Sequence, residues 1–340
     1  MFDNIDNIFN NIADGKNYYF FRTSKGLNFD PFRNGNFIGI NWNYITTQDL
    51  INLSEFQIKQ KIANNEQVDI ATTEGKKTST GIYNKIKRFQ NLKTGDVVVI
   101  PSNRSETLGF GYITDANIYI DHNDPNCNWI KRRKVNWVTF ENLNDLDSIF
   151  YKIVYSKHTI STLNNYASYI DKIISSAFVK DERSHLVFNL RNQDDIDDDA
   201  LINLVANVKR LSNQLSANLN LGDLNESSMK INAQSPGILE LIYKQSKSLL
   251  LVGLILSSQI VVNCSHTIGE NAQNGTNLEI QNERDTNLSI IRDTINQTNL
   301  SNQEKIRLAQ ESVAQYDTIA NTKKDMEKLD ARIERLNKIE

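Results

Sequence analysis

The sequence contains little cysteine, proline and glycine, and these scarcities exclude several classes of protein. Its two cysteines, Cys127 and Cys264, form no CxxC pair and no Cys/His cluster, which excludes a disulfide framework and a structural zinc site. Four prolines and 14 glycines in 340 residues are too few for a collagen-like or mostly disordered chain. With 39% hydrophobic residues, the chain is expected to fold into two or three modules, each with its own core.

The sequence also has no apolar run as long as a membrane-spanning helix. The longest run, 248–262, has 15 residues, whereas a bilayer crossing needs about 20. We therefore expect a buried or oligomerising helix, with a membrane-inserting segment as the alternative. The N-terminus lacks the cationic and then apolar layout of a signal peptide. A cytoplasmic location is expected, and membrane association is its alternative.

Charge is divided unevenly along the chain. Residues 1–140 contain 17 Lys+Arg and 14 Asp+Glu, a net +3, and the remaining 200 residues contain 21 and 27, a net −6. A mildly basic N-terminal module can approach phosphates, but +3 does not by itself diagnose nucleic-acid binding.

The first 140 residues carry the pattern of a small barrel. Aromatic and branched residues at 18–21 and 37–42 predict two paired strands, separated by the turn-forming Asn34-Gly35. Between 46 and 92 the apolar spacing is helical, and further strands are predicted at 96–100, 107–113, 117–120 and 134–138. Several short strands with few helices favour a closed mixed β-barrel.

Six motifs follow one another in this region. They are Tyr18–Arg22, Phe37–Trp42, Arg88-Phe89 with Lys93–Pro101, Leu108–Ile113, Tyr119, and Arg132–Trp137. In this order they resemble the EVE/PUA-like domain found before Mrr-type and McrB-type restriction proteins, over about 125 residues or a third of the chain. The resemblance implies a PUA-like barrel that holds a flipped base, or a small nucleotide-like ligand, in an aromatic-lined pocket.

The resemblance also implies a set of ligand-binding residues. Trp42 is the first candidate for a pocket wall, and the others are Tyr18, Arg22, Tyr112 and Tyr119. A base stacked on an aromatic ring gains roughly 1–3 kcal/mol, and its polar edge fixes its identity. The alternative is that these aromatics form the core of the barrel.

A run of four cations is the candidate nucleic-acid interface. Lys131, Arg132, Arg133 and Lys134 could meet a phosphate backbone, together with Lys85, Lys87 and Arg88. The alternative is a solvated strand edge, where cations discourage aggregation.

No catalytic set is visible. There is no GxxxxGK[ST] loop, the acid-x-Lys at Glu74–Lys76 lies in a polar stretch, and the four histidines are dispersed. We therefore expect a protein that is not an enzyme and that has no metal site and no cofactor.

Beyond residue 140 the sequence predicts four further segments. They are a helical linker at 141–183, a small α/β module at 184–247, an apolar helix at 248–267 and a coiled-coil-like helical tail at 278–340. Within the tail, Ser301 and Glu304 form a capping box, which predicts that a helix begins there.

The tail carries a long apolar stripe. Its members are Ile306, Val313, Tyr316, Met326, Leu329, Ile333 and Leu336. A continuous helix here would be roughly 50–60 Å long, too long for a small module to cover. Pairing with the same helix of a second chain is favoured, and folding back on the segment around Leu288, Ile291 and Ile295 is the alternative.

Together these features predict an α+β protein with an N-terminal PUA-like mixed β-barrel, a small α/β second module and a long C-terminal helix. The expected function is a non-enzymatic sensor or adaptor of bacterial antiviral defence. Its ligand would be a modified DNA base or a nucleotide-like molecule. A separate nuclease or ATPase subunit is a possible partner, and homo-oligomers are expected. The alternative is a membrane-acting defence effector that inserts 248–262 when it is activated.

Overall fold

The chain folds into two compact units, one formed by residues 15–170 and the other by residues 1–14 together with 171–340. We call them the N-terminal and C-terminal units. The computed structural model describes residues 9–11, 16–156, 158–191, 195–221, 227–232, 237–244, 246–260 and 273–336. The fold is mixed α+β, as predicted, with 49% helix and 22% strand.

Helices and strands are numbered along the whole chain, and β1 (Asn10–Asn11) belongs to the C-terminal unit. The strands of the N-terminal unit are β2 (Tyr18–Phe21), β3 (Phe37–Ile40), β4 (Val97–Pro101), β5 (Thr107–Ile113), β6 (Tyr119–Ile120), β7 (Lys131–Asn142) and β8 (Ile160–Thr162). Its helices are α1 (Phe29–Asn34), α2 (Thr47–Asn52), α3 (Glu55–Asn65), α4 (Thr73–Gln90) and α5 (Ile149–Val154).

The N-terminal sheet is a curled half-barrel with the strand order β3-β7-β5-β4-β2-β8, and β6 also pairs with β7. β7 changes its pairing partner along its length: Lys131–Lys134 pair with β3, and Val135–Asn142 pair with β5. The strand bends between these two parts. A register shift between Phe110 and Gly111 of β5 lies beside this long strand, and such a bulge increases local twist. The bend and the bulge together curl the sheet.

The prediction that the first two strands pair with each other is wrong. β2 runs parallel to β4 and antiparallel to β8, whereas β3 pairs with β7. The residues between them, including Asn34-Gly35, do not form a hairpin because α1 occupies 29–34.

Helices α2, α3 and α4 begin at side chains that cap them. Thr46 and Ser54 each form a reciprocal capping box, with Asp49 and Gln57 respectively, and the Thr72 hydroxyl accepts a bond from the Gly75 amide. Such caps satisfy backbone donors that would otherwise lack a partner. α3 and α4 then bury their apolar sides, including Ile58, Ile62, Ile82, Ile86 and Phe89, against the strands.

The C-terminal unit contains a second sheet and most of the helices beyond residue 170. Its strands after β1 are β9 (Ala177–Lys180), β10 (Arg183–Leu190), β11 (Ser227–Asn232), β12 (Gly237–Lys244) and β13 (Ala331–Arg332). Its helices are α7 (Asp198–Leu219), α8 (Lys247–Ser257), α9 (Gln273–Asn296), α10 (Asn302–Ala314) and α11 (Tyr316–Lys328). α6 (Ala167–Ile174) contains the boundary between the two units.

The unit boundaries differ from the segments expected from the sequence. The stretch expected as a linker at 141–183 is not a separate segment: its part of β7, with α5 and β8, belongs to the N-terminal unit, β9 belongs to the C-terminal unit, and α6 spans the boundary. The second module also contains the strand β12, which the sequence analysis did not predict. β12 is central, because it pairs with β10 along one edge and with β11 along the other.

The apolar run forms the core of the C-terminal unit. Residues 248–256 of α8 are all buried against the second sheet. A Cβ on Gly253 would come within 2.7 Å of Leu186 Cδ1, so glycine lets α8 approach β10 closely. In the described parts of the chain, no helix combines the length and the apolar character that a bilayer crossing requires. Residues 261–267 of the predicted apolar helix lie outside the described residues.

The C-terminal tail is not one continuous helix. The predicted start at Ser301 is confirmed, with the capping box to Glu304, but α10 ends at Ala314 and α11 ends at Lys328. Residues 337–340 lie outside the described residues.

The apolar stripe of the tail is mostly buried within its own unit, so the premise that it needs a second chain is wrong. Tyr316, Met326, Leu329 and Leu336 belong to the same core as Ile291 and Ile295 of α9. α11 also packs against α7, where Asn207 Nδ2 donates to Asp325 Oδ2 over 3.3 Å. Of the stripe, Ile306 and Val313 are exposed.

Candidate functional site

Trp42 lies two residues beyond β3 in an unusual backbone conformation. Its φ is +60°, in the left-handed region, which costs a non-glycine residue on the order of 1–3 kcal/mol and persists only where the surroundings hold it. The Trp42 carbonyl accepts two hydrogen bonds, from Lys131 Nζ over 2.8 Å and from the Ile45 amide over 3.0 Å. The loop after β3 is thereby fixed to the first residue of β7.

Lys131 is a buried cation with a structural task. Its side chain is 1% exposed, and burial lowers its pKa to about 8, an effect that the Asp49 carboxylate partly opposes. Because this pKa is still above 7, the ammonium remains mostly protonated at neutral pH and donates to the Trp42 carbonyl. Asp49 is itself held by Lys61, at 2.7 Å, and by the α2 capping box.

The Trp42 ring is half-buried at the border of the core, and a cation lies over it. Lys85 Nζ, from α4, is 5.3 Å from the ring centroid. An aromatic surface and a positive charge therefore occur together at this border. These are the two features that stack a base and attract its phosphate.

The other predicted ligand residues lie elsewhere in the sheet. Tyr18 and Tyr112 both neighbour Val97 across the strands, so they share one face, and Tyr18 is buried. In the sheet order, three strands separate β2 from β3. Trp42 and Tyr18 therefore belong to different parts of the half-barrel.

Arg22 and Tyr119 have local partners. The Arg22 guanidinium donates to the backbone carbonyls of Val154, at 2.7 Å, and Ser156, at 2.9 Å, and burial lowers its pKa. Tyr119, on β6, is half-buried opposite Arg132, and burial raises the pKa of its hydroxyl. Arg22 thus joins β2 to the segment before β8, which is a structural role.

The prediction of a cationic surface at 131–134 is wrong for its first three residues. Lys131, Arg132 and Arg133 are each at most 2% exposed, and Lys134 is exposed. The alternative of a strand edge is also wrong, because this part of β7 pairs with β3 on one side and β6 on the other.

Arg132 and Arg133 hold the interior together. Arg132 pairs with Asp121 at 2.6 Å and Asp124 at 3.0 Å, donates to two backbone carbonyls, and stacks over the Phe37 ring at 4.0 Å. Arg133 Nε donates to the Phe89 carbonyl over 3.0 Å, and burial lowers its pKa. These guanidinium groups cannot reach a phosphate backbone.

Arg88 is one of three further cations predicted to contact nucleic acid, and the other two, Lys85 and Lys87, lie on the same helix. It is exposed on α4, where its NH1 donates to the Ile160 carbonyl over 2.7 Å. Lys76, Lys77 and Lys87 are exposed on the same helix. Lys76 and Lys77 were not among the cations predicted to contact nucleic acid, although the helical spacing of Ile82, Ile86 and Phe89 indicates which side of α4 faces solvent.

The C-terminal unit contains a buried polar cluster that the sequence analysis also missed. Glu240 accepts from His185 Nδ1 over 2.7 Å and pairs with Lys172 Nζ over 2.8 Å. The His185 ring stacks on Phe178, with centroids 4.6 Å apart. Although burial opposes its charge, the two partners lower the pKa of Glu240 to about 2. Because one carboxylate oxygen is bonded to the His185 ring and the other is paired with the Lys172 ammonium, this cluster is structural.

No metal site is evident in the portion that the structure describes, where no three His, Cys, Asp or Glu side chains are grouped to hold an ion.

Residues 22–164, within the N-terminal unit, match a family described as a domain of unknown function (DUF8426). That stretch is 143 of 340 residues, and the description gives no activity. No curated protein and no solved structure matches the chain.

Proposed function

We propose that the N-terminal unit is a PUA-like module that binds a modified base or a nucleotide-like ligand, with Trp42 as its stacking surface. The observation that supports this most directly is the combination of a left-handed backbone at Trp42 with the Lys85 ammonium 5.3 Å from its ring. Glycine or asparagine fits that conformation better than tryptophan does, and strained backbone of this kind is found at functional sites.

The chemistry of the surroundings agrees with a nucleotide. The Trp42 ring supplies a π face, which is worth roughly 1–3 kcal/mol per stacked base. Lys85 supplies positive charge for a phosphate, and the buried Lys131 keeps the loop in place before any ligand arrives. A preformed site of this kind loses little free energy to ordering on binding.

At the level of the cell, we propose a non-enzymatic sensor or adaptor of bacterial antiviral defence, acting with a separate nuclease or ATPase subunit. The order of the six sequence motifs and the curled half-barrel sheet support this proposal. The membrane-acting alternative has weaker support, because residues 248–256 are core residues that could insert only if the C-terminal unit opened.

Replacing Trp42 by glycine tests the site. Trp42→Gly removes the ring and suits the left-handed backbone, so the unit is expected to remain folded while ligand affinity falls roughly 5- to 150-fold. Fluorescence polarisation would measure the affinity, using labelled oligonucleotides with modified or unmodified bases, with free nucleotides as competitors.

Trp137→Phe is the matched control, because Trp137 is also half-buried but its Nε1 donates to the Phe32 carbonyl over 2.9 Å. This variant is expected to retain binding. The proposal fails if Trp42→Gly binds as the wild type does, or if the wild type binds none of the probes.

A further inference from the structure

Helix α4 presents a cationic side to solvent. Ile82, Ile86 and Phe89 are buried on one side, and Lys76, Lys77, Lys87 and Arg88 are exposed on the other. We call these four residues the α4 cationic face. With Lys85 the helix has five cations against one acid, Glu74, a net +4.

Few acids neutralise this surface. Lys87 donates to Gln90 over 3.1 Å and Arg88 to a carbonyl, so neither contact is a salt bridge. Within the part of the chain that the structure describes, Lys76 and Lys77 have no ion-pair partner. The carboxylate of Glu55, on α3, is paired with Lys59 at 2.6 Å; this pairing is the main cause that lowers the pKa of Glu55, and the charge of Lys87 contributes less.

Gly81 is a second and independent feature of this side of α4. A Cβ added there would meet nothing within 4 Å, whereas a Cβ on Gly75 would come to 1.9 Å from the Asp69 carbonyl. Packing therefore explains Gly75 but not Gly81. A mid-helix glycine costs roughly a factor of five in folding equilibrium relative to alanine, so the bare backbone at Gly81 needs another reason.

Close approach of a ligand is such a reason. On a helix, Lys77 and Lys85 are the i−4 and i+4 neighbours of Gly81, and Arg88 lies about two turns along the same side. Positive charge thus surrounds the bare backbone at Gly81.

We propose that the α4 cationic face docks the sugar-phosphate backbone of duplex DNA, with the backbone passing closest at Gly81. Lys76 to Arg88 spans about 18 Å at 1.5 Å per residue, which corresponds to about five base-pair steps along the axis of a duplex. Lys85 reaches from this helix to the Trp42 ring. The inference rests on the proposed function, because DNA docked on α4 would present its base to Trp42.

The chemistry favours DNA over an anionic membrane. A membrane-binding helix exposes apolar residues beside its cations, but the exposed residues of α4 are all polar or charged. DNA rather than RNA follows from the proposed ligand, a modified DNA base.

The test compares two α4 variants with a charge-matched control in the full-length protein. Lys76→Gln/Lys77→Gln removes two exposed cations, and Lys25→Gln/Lys152→Gln removes two exposed cations outside α4. Affinity for a labelled 20-bp duplex would be measured by polarisation from 50 to 300 mM salt. The α4 pair is expected to reduce the salt slope by about 1.8 and the affinity by up to about 60-fold at 0.1 M salt. The control pair is expected to keep the wild-type slope.

Gly81→Ala separates binding from folding. Because alanine favours the helix, the melting temperature is expected to rise by about 2–4 °C while DNA affinity falls. A Gly81→Ala protein with wild-type affinity would overturn the close approach. An unchanged salt slope for the Lys76→Gln/Lys77→Gln variant would overturn the proposal that the α4 cationic face docks DNA. Tighter binding of anionic vesicles or of an RNA duplex would overturn the choice of DNA.

The two proposals fail in different ways. If Trp42→Gly weakens binding and the α4 variants do not, the docking surface alone is refuted. If the α4 variants weaken binding and Trp42→Gly does not, the Trp42 site alone is refuted.

Discussion

Arg132→Gln gives the sharpest distinction between a surface cation and a structural one. The substitution breaks the ion pairs to Asp121 and Asp124 and leaves the Trp129 and Cys127 carbonyls without the guanidinium donor. Removing one partner of a buried ion pair costs roughly 3–5 kcal/mol. In a unit of this size, where 1 kcal/mol shifts the melting temperature by about 2–4 °C, we expect a loss of about 6–20 °C.

Tryptophan fluorescence isolates the relevant transition. All three tryptophans of the chain, Trp42, Trp129 and Trp137, lie within residues 15–170, so their emission reports the N-terminal unit. Lys134→Gln is the matched control, because Lys134 is exposed on the same strand. It is expected to change stability by less than about 0.5 kcal/mol. An Arg132→Gln protein that melts like the wild type, but binds DNA with a flatter salt dependence, would refute the assignment of Arg132 as a structural cation.

Two further predictions concern the C-terminal unit. Glu240→Gln removes the charge shared by Lys172 and His185, so urea unfolding should show a loss of roughly 3 kcal/mol. The folded pKa of Glu240 is about 2, against an ordinary value of 4.5, so its contribution to the free energy of unfolding is present above pH 4.5 and is lost as pH falls toward 2. If the wild type and Glu240→Gln lose stability equally as pH falls, this prediction is contradicted. A chain ending at Leu300 lacks α10 and α11 and their core residues, so circular dichroism should show a C-terminal unit without cooperative unfolding. If circular dichroism instead shows a folded truncated chain, and light scattering shows an oligomeric full-length protein, assembly through the tail is supported.

The position of strands was easier to predict than their pairing. The strands at 18–21, 96–100 and 107–113 follow from local runs of aromatic and branched residues, and all three are present. Their partners depend on contacts far apart in sequence, such as the parallel pairing of β2 with β4. Turn-forming residues in the sequence indicate which adjacent strands form a hairpin, but they give no information about such a distant pairing. β12 was missed because its mostly apolar residues show no alternation and run almost directly into the apolar helix α8.

At the candidate site, the burial of charged side chains was the feature that was hardest to predict from the sequence. The sequence shows four adjacent cations at 131–134, but their burial depends on Asp121 and Asp124 and on carbonyls contributed by α4. Trp42 could be named as a candidate from its place after β3. Its left-handed backbone could not, because that conformation is set by the bond from Lys131 and is rare for aromatic residues.

The short strand β1 makes the N-terminal unit an insertion within the sequence of the C-terminal unit. Asn10 pairs with Phe178, which closes a loop of 168 residues. When the inserted unit is folded, the 2.6 Å bond from the Leu163 amide to the Tyr18 carbonyl ties its ends together, leaving about 22 connecting residues. Loop-closure entropy scales as about 1.5RT ln n, so the folded insert lowers the cost of forming β1 by about 2 kcal/mol. Unfolding of the N-terminal unit would therefore weaken the C-terminal unit through chain entropy alone, with no contact between them needed.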